Sequence, residues 1–268
     1  MSNRPKRVFV IGIDGAMGSA VKLAKTPNID AVIENGVFTY LAQAVVPSAS
    51  FQNWGALLHG VEATVHQISD ANPIQEDVPF PSFLKVLRRA QPNRTCAVFS
   101  CWNPINQYII EQSIDCHRVS QPDSELVQTA ANYIRQSPPD LFFMQLDDID
   151  AAGHREGYGS KKYLQQIEKT DDEVGVVIQA IQDADVYSES LILIISDHGG
   201  FGTRHGGNEP ECLEIFWSIR GPSIARGIEL DQPISIKDTA SIILHAFDTP
   251  IPKGYEGQIS ARVFEKLD

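Results

Sequence analysis

Ile192-Leu-Ile-Ile-Ser-Asp-His-Gly-Gly-Phe-Gly-Thr-Arg-His-Gly-Gly207 opens as an uninterrupted aliphatic run and stops abruptly at Asp197-His198. An apolar run without polar alternation reads as a strand buried on both faces, the habit of parallel sheets. Open parallel sheets collect their ligands beyond the carboxyl ends of their strands. The chain therefore places a carboxylate and an imidazole where a ligand site belongs. The surrounding glycines let the backbone approach closely, and a second histidine, His205, follows in the same loop. Turn chemistry accounts for the aspartate and the glycines but not for two histidines. A carboxylate grouped with imidazoles is a donor set for a metal.

Two further apolar runs end in the same way. Residues 8–13 (Val-Phe-Val-Ile-Gly-Ile) lead into Asp14, and residues 141–146 (Leu-Phe-Phe-Met-Gln-Leu) lead into Asp147, Asp148 and Asp150. Asp150 is followed by Ala-Ala-Gly-His154. That i, i+4 spacing puts carboxylate and imidazole on one face of a helical turn. Carboxylates converging on one sheet edge repel one another unless cations or protons compensate. The candidate set is thus Asp14, Asp150, His154, Asp197, His198 and His205. Mixed oxygen and nitrogen donors suit two borderline cations, Zn²⁺ or Mn²⁺, better than Ca²⁺, which takes oxygen only. Two cations about 4 Å apart form a clamp for displacement at phosphorus.

The rest of the chain alternates strand and helix. Strands are predicted at 37–46, 96–101 and 215–219. Helices are predicted at 27–35, from Asn53 to His59, at 83–90 with Ser82 as cap, and at 124–136, 161–183 and 236–247, with a surface loop over 60–80. This order predicts an α/β fold: three layers, α/β/α, around a mostly parallel central sheet, in a single domain over 1–268 without a sizeable cap domain. Between the 37–46 strand and the helix lies Pro47-Ser-Ala-Ser-Phe-Gln-Asn53. Its serines, Ser48 and Ser50, read either as helix caps or as a nucleophile at an anion-favouring helix N-terminus.

Composition narrows the function. Against 22 Lys and Arg stand 34 Asp and Glu, a formal net charge of −12. No basic face is available to release counterions, so a nucleic-acid polymer is not the expected partner. Bound divalent cations would still admit a small anionic substrate. None of the four cysteines, Cys96, Cys101, Cys116 and Cys212, forms a Cys-x-x-Cys pair. The run after the basic N-terminus is too short for a signal peptide, and no stretch of about 18 apolar residues offers a membrane span. The expectation is a reduced, cytoplasmic protein without membrane association; oligomeric state is left open.

Gly12-Ile-Asp14-Gly15, Pro47-Ser-Ala-Ser-Phe-Gln-Asn53, Asp150-Ala-Ala-Gly-His154, Ser196-Asp-His-Gly-Gly200 and His205-Gly206 together resemble the alkaline phosphatase superfamily, in particular its type I phosphodiesterase/nucleotide pyrophosphatase branch. Ile219-Arg-Gly-Pro-Ser-Ile224 and Gly254-Tyr-Glu-Gly257 extend the resemblance toward the C-terminus. The resemblance implies two zinc ions, one held by Asp14, Asp197, His198 and the nucleophile Ser50, the other by Asp150, His154 and His205. It implies Ser50 as nucleophile, where many relatives have threonine, with Ser48 as the alternative and Asn53 binding a substrate oxygen. The implied activity is hydrolysis of a phosphodiester or nucleotide pyrophosphate through a covalent phospho-serine. Monoester and phosphonate substrates are alternatives within the superfamily. A non-catalytic, metal-binding member of the family is the alternative from a different functional class. Gly12-x-x-Gly15-x-x-Gly18 only loosely mimics a dinucleotide fingerprint and lacks its tight Gly-x-Gly start. His59 and His66 read as structural, Trp54 as core or pocket lining, and Arg204 as one half of an exposed salt bridge.

Overall fold

The computed structural model describes residues 4–264. Its strands are β1 (Arg7–Ile13), β2 (Gly36–Gln43), β3 (Cys96–Ser100), β4 (His117–Ser120), β5 (Leu141–Leu146), β6 (Ser190–Ile195), β7 (Glu214–Arg220) and β8 (Ile228–Glu229). They form one sheet in the order β4-β3-β5-β1-β6-β7-β2-β8. Only the pairings of β7, with β6 and with β2, are antiparallel. The helices are α1 (Gly18–Leu23), α2 (Pro27–Glu34), α3 (Ser50–His59), α4 (Ala63–His66), α5 (Phe83–Ala90), α6 (Asp123–Gln136), α7 (Asp148–Glu156), α8 (Lys161–Asp183), α9 (Pro210–Leu213) and α10 (Asp238–Ala246). The predicted three-layer α/β/α architecture is the observed one. No described helix is long and apolar enough to cross a membrane.

Strand β1 explains the layering. Its side chains alternate across the pleat. Val8 and Val10 enter a core with Trp54, Leu57, Leu84 and Ile243, from α3, α5 and α10. Phe9, Ile11 and Ile13 enter a second core with Ile29, Leu126, Ile134, Ile167 and Val174, from α2, α6 and α8. Both faces being covered, the strand has no polar side, and the periodicity of its sequence is lost as expected.

β1 lies between β5 and β6, parallel to both, with Gly12 level with Gln145 and Ile195. The three acid-terminated runs are therefore adjacent and end at one edge. β2 is antiparallel to β7, which is antiparallel to β6, so β2 also delivers its C-terminal end to that edge.

Several boundaries differ from expectation. The 37–46 strand ends at Gln43, because the backbone of Val45 is taken over by Asn53: Val45 N donates to Asn53 Oδ1 at 2.7 Å. Helix α3 starts at Ser50 rather than Asn53, and α4 interrupts the 60–80 loop. The helix predicted at 236–247 begins at Asp238, whose carboxylate accepts from Ser235 N at 2.9 Å and closes the preceding turn. β4 and a wide π-type turn at Ile105–Ile109 were not predicted. β4 is a half-exposed edge strand, His-Arg-Val-Ser, too short and polar to leave a periodic signal.

Gly12 has a packing role, not a cofactor role. A Cβ there would lie 2.4 Å from Trp54, which is fully buried and donates through Nε1 to Asp14 Oδ2 at 2.8 Å. Gly12→Ala is expected to lower unfolding free energy by about 1–3 kcal/mol, the usual cost of overpacking a core. Urea denaturation measures it, and unchanged stability would refute this role for Gly12.

Candidate active site

Six sequence-predicted residues come together in two groups: Asp14, Asp197 and His198, all buried, and Asp150, His154 and His205, more open to solvent. Within each group the potential ligand atoms lie within 4.8 Å of one another. The groups adjoin, with the His198 and His205 rings stacked at 3.9 Å between centroids. Gly15 (φ +70°) permits this closeness, since a Cβ there would meet the Cα of Asp150 at 2.8 Å.

Backbone carbonyls orient all three imidazoles. His198 Nδ1 lies 2.9 Å from Gly199 O, His154 Nδ1 2.9 Å from Thr203 O, and His205 Nδ1 3.0 Å from Ser48 O. A carbonyl only accepts, so each Nδ1 carries the proton and each Nε2 presents a lone pair. Those lone pairs face oxygens that are also acceptors. His198 Nε2 is 3.4 Å from Asp197 Oδ2 and 3.6 Å from Asp14 Oδ1; His154 Nε2 is 3.2 Å from Asp150 Oδ2. Among the described residues, the buried Asp14 Oδ1 and Asp197 Oδ2 receive no hydrogen bond. Orphaned buried acceptors converging on an imidazole lone pair fit a cation placed among them, and the carbonyl contacts are the outer-shell braces such ligands carry.

The electrostatics agree. Burial, then the charges of Asp197, Asp150 and Asp147, hold the Asp14 carboxyl well above the usual range. Burial pushes Asp197 up to about 7, against the pull of the Gly15 N–H. Burial lowers the pKa of His198, and burial with repulsion from His198 lowers that of His205. Both rings are thus kept neutral, the form in which imidazole binds a metal.

Ser50 is the first residue of α3, with its Oγ 3.2 Å from His198 Nε2. Ser48, the alternative nucleophile, is fully buried; its Oγ donates to Gly207 O at 2.7 Å and accepts from Gly206 N at 3.1 Å. It is the clamp that brings the His205 loop back over the site. Asn53 is a correction. It is fully buried and its Nδ2 donates to Val45 O, Pro47 O and Ala49 O at 3.2–3.3 Å. An amide so committed braces the turn before Ser50 and cannot bind a substrate oxygen. The N–H groups of the first turn of α3, which have no intrahelical acceptor, remain for that task.

Sequence reading missed two neighbours, Gln145 and Tyr158, and left a third, Asp147, without a role. Gln145 Nε2 bridges Asp14 Oδ2 and Asp147 Oδ1, both at 3.0 Å. Asp147 is a buried fourth carboxylate, pushed up to about 7 by burial and Asp150. Tyr158 donates its hydroxyl to Asp150 Oδ1. Gln145 carried the one usable signal, a polar residue inside an apolar strand; Tyr158 carried none. Asp148 turns outward to Lys169 at 3.1 Å. His59 and His66 are structural as expected: His59 spans Phe80 O and Ile109 O, and His66 joins Gln52 O to Ile68 N. Arg204 is exposed but forms no ion pair among the described residues, contrary to expectation.

Sheet and site together define the class, an alkaline phosphatase-like α/β fold with paired carboxylate–imidazole groups at the carboxyl edge. Murine ectonucleotide pyrophosphatase/phosphodiesterase 5, solved as an inactive form in complex with AMP, matches it with a TM-score of 0.80 at 14% identity, over 94% of this chain and 97% of that one. The phosphonate monoester hydrolase of Agrobacterium radiobacter matches with a TM-score of 0.74 at 14% identity, over 95% and 76%. In sequence, the profile of the type I phosphodiesterase / nucleotide pyrophosphatase family matches residues 88–211. Bis(5'-adenosyl)-triphosphatase ENPP4 of Homo sapiens is 23% identical over 222 residues, 74% of this chain and 48% of the relative. The resemblance read from the motifs holds: part of the sequence is similar to type I phosphodiesterases / nucleotide pyrophosphatases, and the fold is alkaline phosphatase-like. It spans about half the length of the curated relatives it matches, 48% for ENPP4.

Two outcomes follow from this geometry. Ser48→Ala removes both hydroxyl contacts to the His205 loop and is expected to weaken binding of any divalent cation held by the Asp150, His154 and His205 group by about 10- to 100-fold, as loss of an outer-shell brace does; calorimetric titration checks it. In chelated protein, Asp197 titrates near 7 when folded against an ordinary 3.8. Between those values the folded chain holds the extra proton, so this contribution to stability is present at low pH and lost as pH rises through 7. The stability of wild type relative to Asp197→Asn should therefore fall from pH 4 to pH 8 in EDTA, and a rise would contradict the assignment.

Proposed function

We propose that this chain is a metal-dependent phosphoester hydrolase that uses Ser50 as nucleophile, with phosphodiesters or nucleotide pyrophosphates as substrates. The carrying observation is that the Nε2 lone pairs of His198 and His154 face carboxylate oxygens, with the Ser50 hydroxyl beside His198. Asp14, Asp197, His198 and Ser50 would hold one divalent cation; Asp150, His154 and His205 would hold the other. The mixed donors favour Zn²⁺, with Mn²⁺ the alternative. Bound there, the pair would neutralise the carboxylates, lower the pKa of the serine hydroxyl and offset charge on the departing oxygen.

In this reading Ser50 Oγ, its pKa lowered by the cation that it would share with His198, loses its proton to solvent and attacks phosphorus in line, and the departing oxygen takes up a proton from water. The Oγ–P bond forms as the bond to the leaving oxygen breaks, and that oxygen departs on the His205 side. Water then cleaves the phospho-serine from the opposite face, releasing phosphate monoester and restoring the hydroxyl. The N–H groups opening α3 hold the equatorial oxygens. The stacked His198 and His205 rings tie the nucleophile's group of ligands to the leaving group's. Tyr158 fixes one oxygen of Asp150, leaving the other toward His154. The family match and the nucleotide-related names of the relatives support a small nucleotide substrate. The single-domain, cytoplasmic reading belongs to the same proposal.

Ser50→Ala should lower kcat/KM for bis(p-nitrophenyl) phosphate by about a thousandfold or more, as loss of a covalent nucleophile does, with zinc content largely retained through the other three ligands of that group. Near wild-type turnover would remove Ser50 from the role. A wild-type preference for p-nitrophenyl phosphate over the diester would favour the monoesterase reading.

A further inference from the structure

Residues 201–204 form a tight turn between the two metal-ligating segments of the same loop. Phe201 N donates to Arg204 O at 2.8 Å and Arg204 N to Phe201 O at 3.2 Å. Directly paired antiparallel residues send their side chains to one face. The apex of the turn is tied to the site from outside: Tyr158 N donates to Gly202 O at 2.8 Å and His154 Nδ1 to Thr203 O at 2.9 Å. The turn is thus anchored to α7, the helix that carries Asp150 and His154.

Phe201 and Arg204 both line a cavity of about 300 Å³ that also borders His205, Gly207, Glu209 and Cys212. Phe201 is 53% exposed, although it belongs to a loop otherwise built of glycine and polar residues. The guanidinium of Arg204 has no hydrogen bond or ion pair among the described residues, and Glu209 across the cavity does not pair with it. In a chain of net charge −12, a cation without an acid partner beside an exposed aromatic ring needs another explanation than packing or folding. An aromatic face stacks a planar base, and a guanidinium grips phosphate through two parallel N–H bonds.

The geometry points to a leaving-group subsite in which Phe201 stacks a nucleobase and Arg204 binds the phosphate attached to it. The subsite selects substrates whose departing half is a nucleoside phosphate over those whose departing half is a neutral aryl alcohol. This rests on the two-cation hydrolase reading above, since in-line attack by Ser50 directs the leaving oxygen to the His205 side, where this cavity opens. Phe201 and Arg204 determine specificity there and take no part in bond making.

The test compares zinc-loaded wild type with Arg204→Ala and Phe201→Ala. The substrates are diadenosine diphosphate, whose departing half is AMP, and the p-nitrophenyl ester of thymidine 5'-monophosphate, whose departing half has a ring and no phosphate. Arg204→Ala should lower kcat/KM for diadenosine diphosphate by about 10- to 100-fold, the range for losing a charge-assisted hydrogen bond, and change the aryl ester by less than about twofold. Phe201→Ala should lower both. Equal losses on both substrates in Arg204→Ala, or none on either, would overturn the subsite. Equilibrium binding separates this from the catalytic reading. Wild type should bind AMP more tightly than adenosine, and Arg204→Ala should lower the affinity for AMP by about 10-fold while changing that for adenosine by less than about twofold. If wild type hydrolyses neither ester yet keeps that Arg204-dependent affinity for AMP, the hydrolase reading fails and the subsite stands; an Arg204→Ala variant that binds AMP as tightly as wild type would sink the subsite.

Discussion

Four carboxylates, Asp14, Asp147, Asp150 and Asp197, act on one another at one edge of the sheet, and their mutual repulsion in a buried setting is the constraint to which the surrounding structure responds. Burial alone raises the cost of each charge, and every neighbour raises it further. The chain answers with a limited supply of donors. Trp54 and Gln145 serve Asp14 Oδ2, Gly15 N serves Asp197 Oδ1, and Tyr158 serves Asp150 Oδ1. Oδ1 of Asp14 and Oδ2 of Asp197 are left over, and these are the oxygens nearest His198 Nε2. Satisfying some oxygens while orphaning others aims the remaining charge at one point, which is how a protein prepares a place for a cation.

The second constraint is on the imidazoles. Each spends its Nδ1 proton on a backbone carbonyl, and those carbonyls belong to loops rather than to the sheet: Gly199, Thr203 and Ser48. The loop from Gly199 to Gly207 is therefore both carrier of a candidate ligand and brace. It supplies His205, receives His154 through Thr203, and is itself held by Ser48. Loops fixed this firmly by polar contacts can present Phe201 and Arg204 to solvent without losing register.

The sheet edge was legible because its signal is local and strong. Three apolar runs each end in an acid, and a buried parallel strand writes itself as an apolar run. The i, i+4 pair Asp150 and His154 was legible for the same reason, helix geometry being fixed. Asn53 was misread because motif position says nothing of where an amide points; three carbonyls of its own turn claim it. Tyr158 and the Ser48 clamp were invisible because their partners lie 8 and 159 residues away on paths set by loops. Arg204 was read as half of an exposed salt bridge, and the described residues provide no acid partner.

By itself, the sequence determined the layered α/β class, the three acid-terminated strands, and the inventory of six candidate ligands with a nearby serine. It could do so because strand burial, helix periodicity and residue chemistry are properties of short stretches. Tertiary structure alone decided that β1 lies between β5 and β6, so that the acids are neighbours. It also decided which of two serines faces His198, and which oxygens are left without donors. Those outcomes depend on distances between segments far apart in the chain, and no local pattern carries such distances.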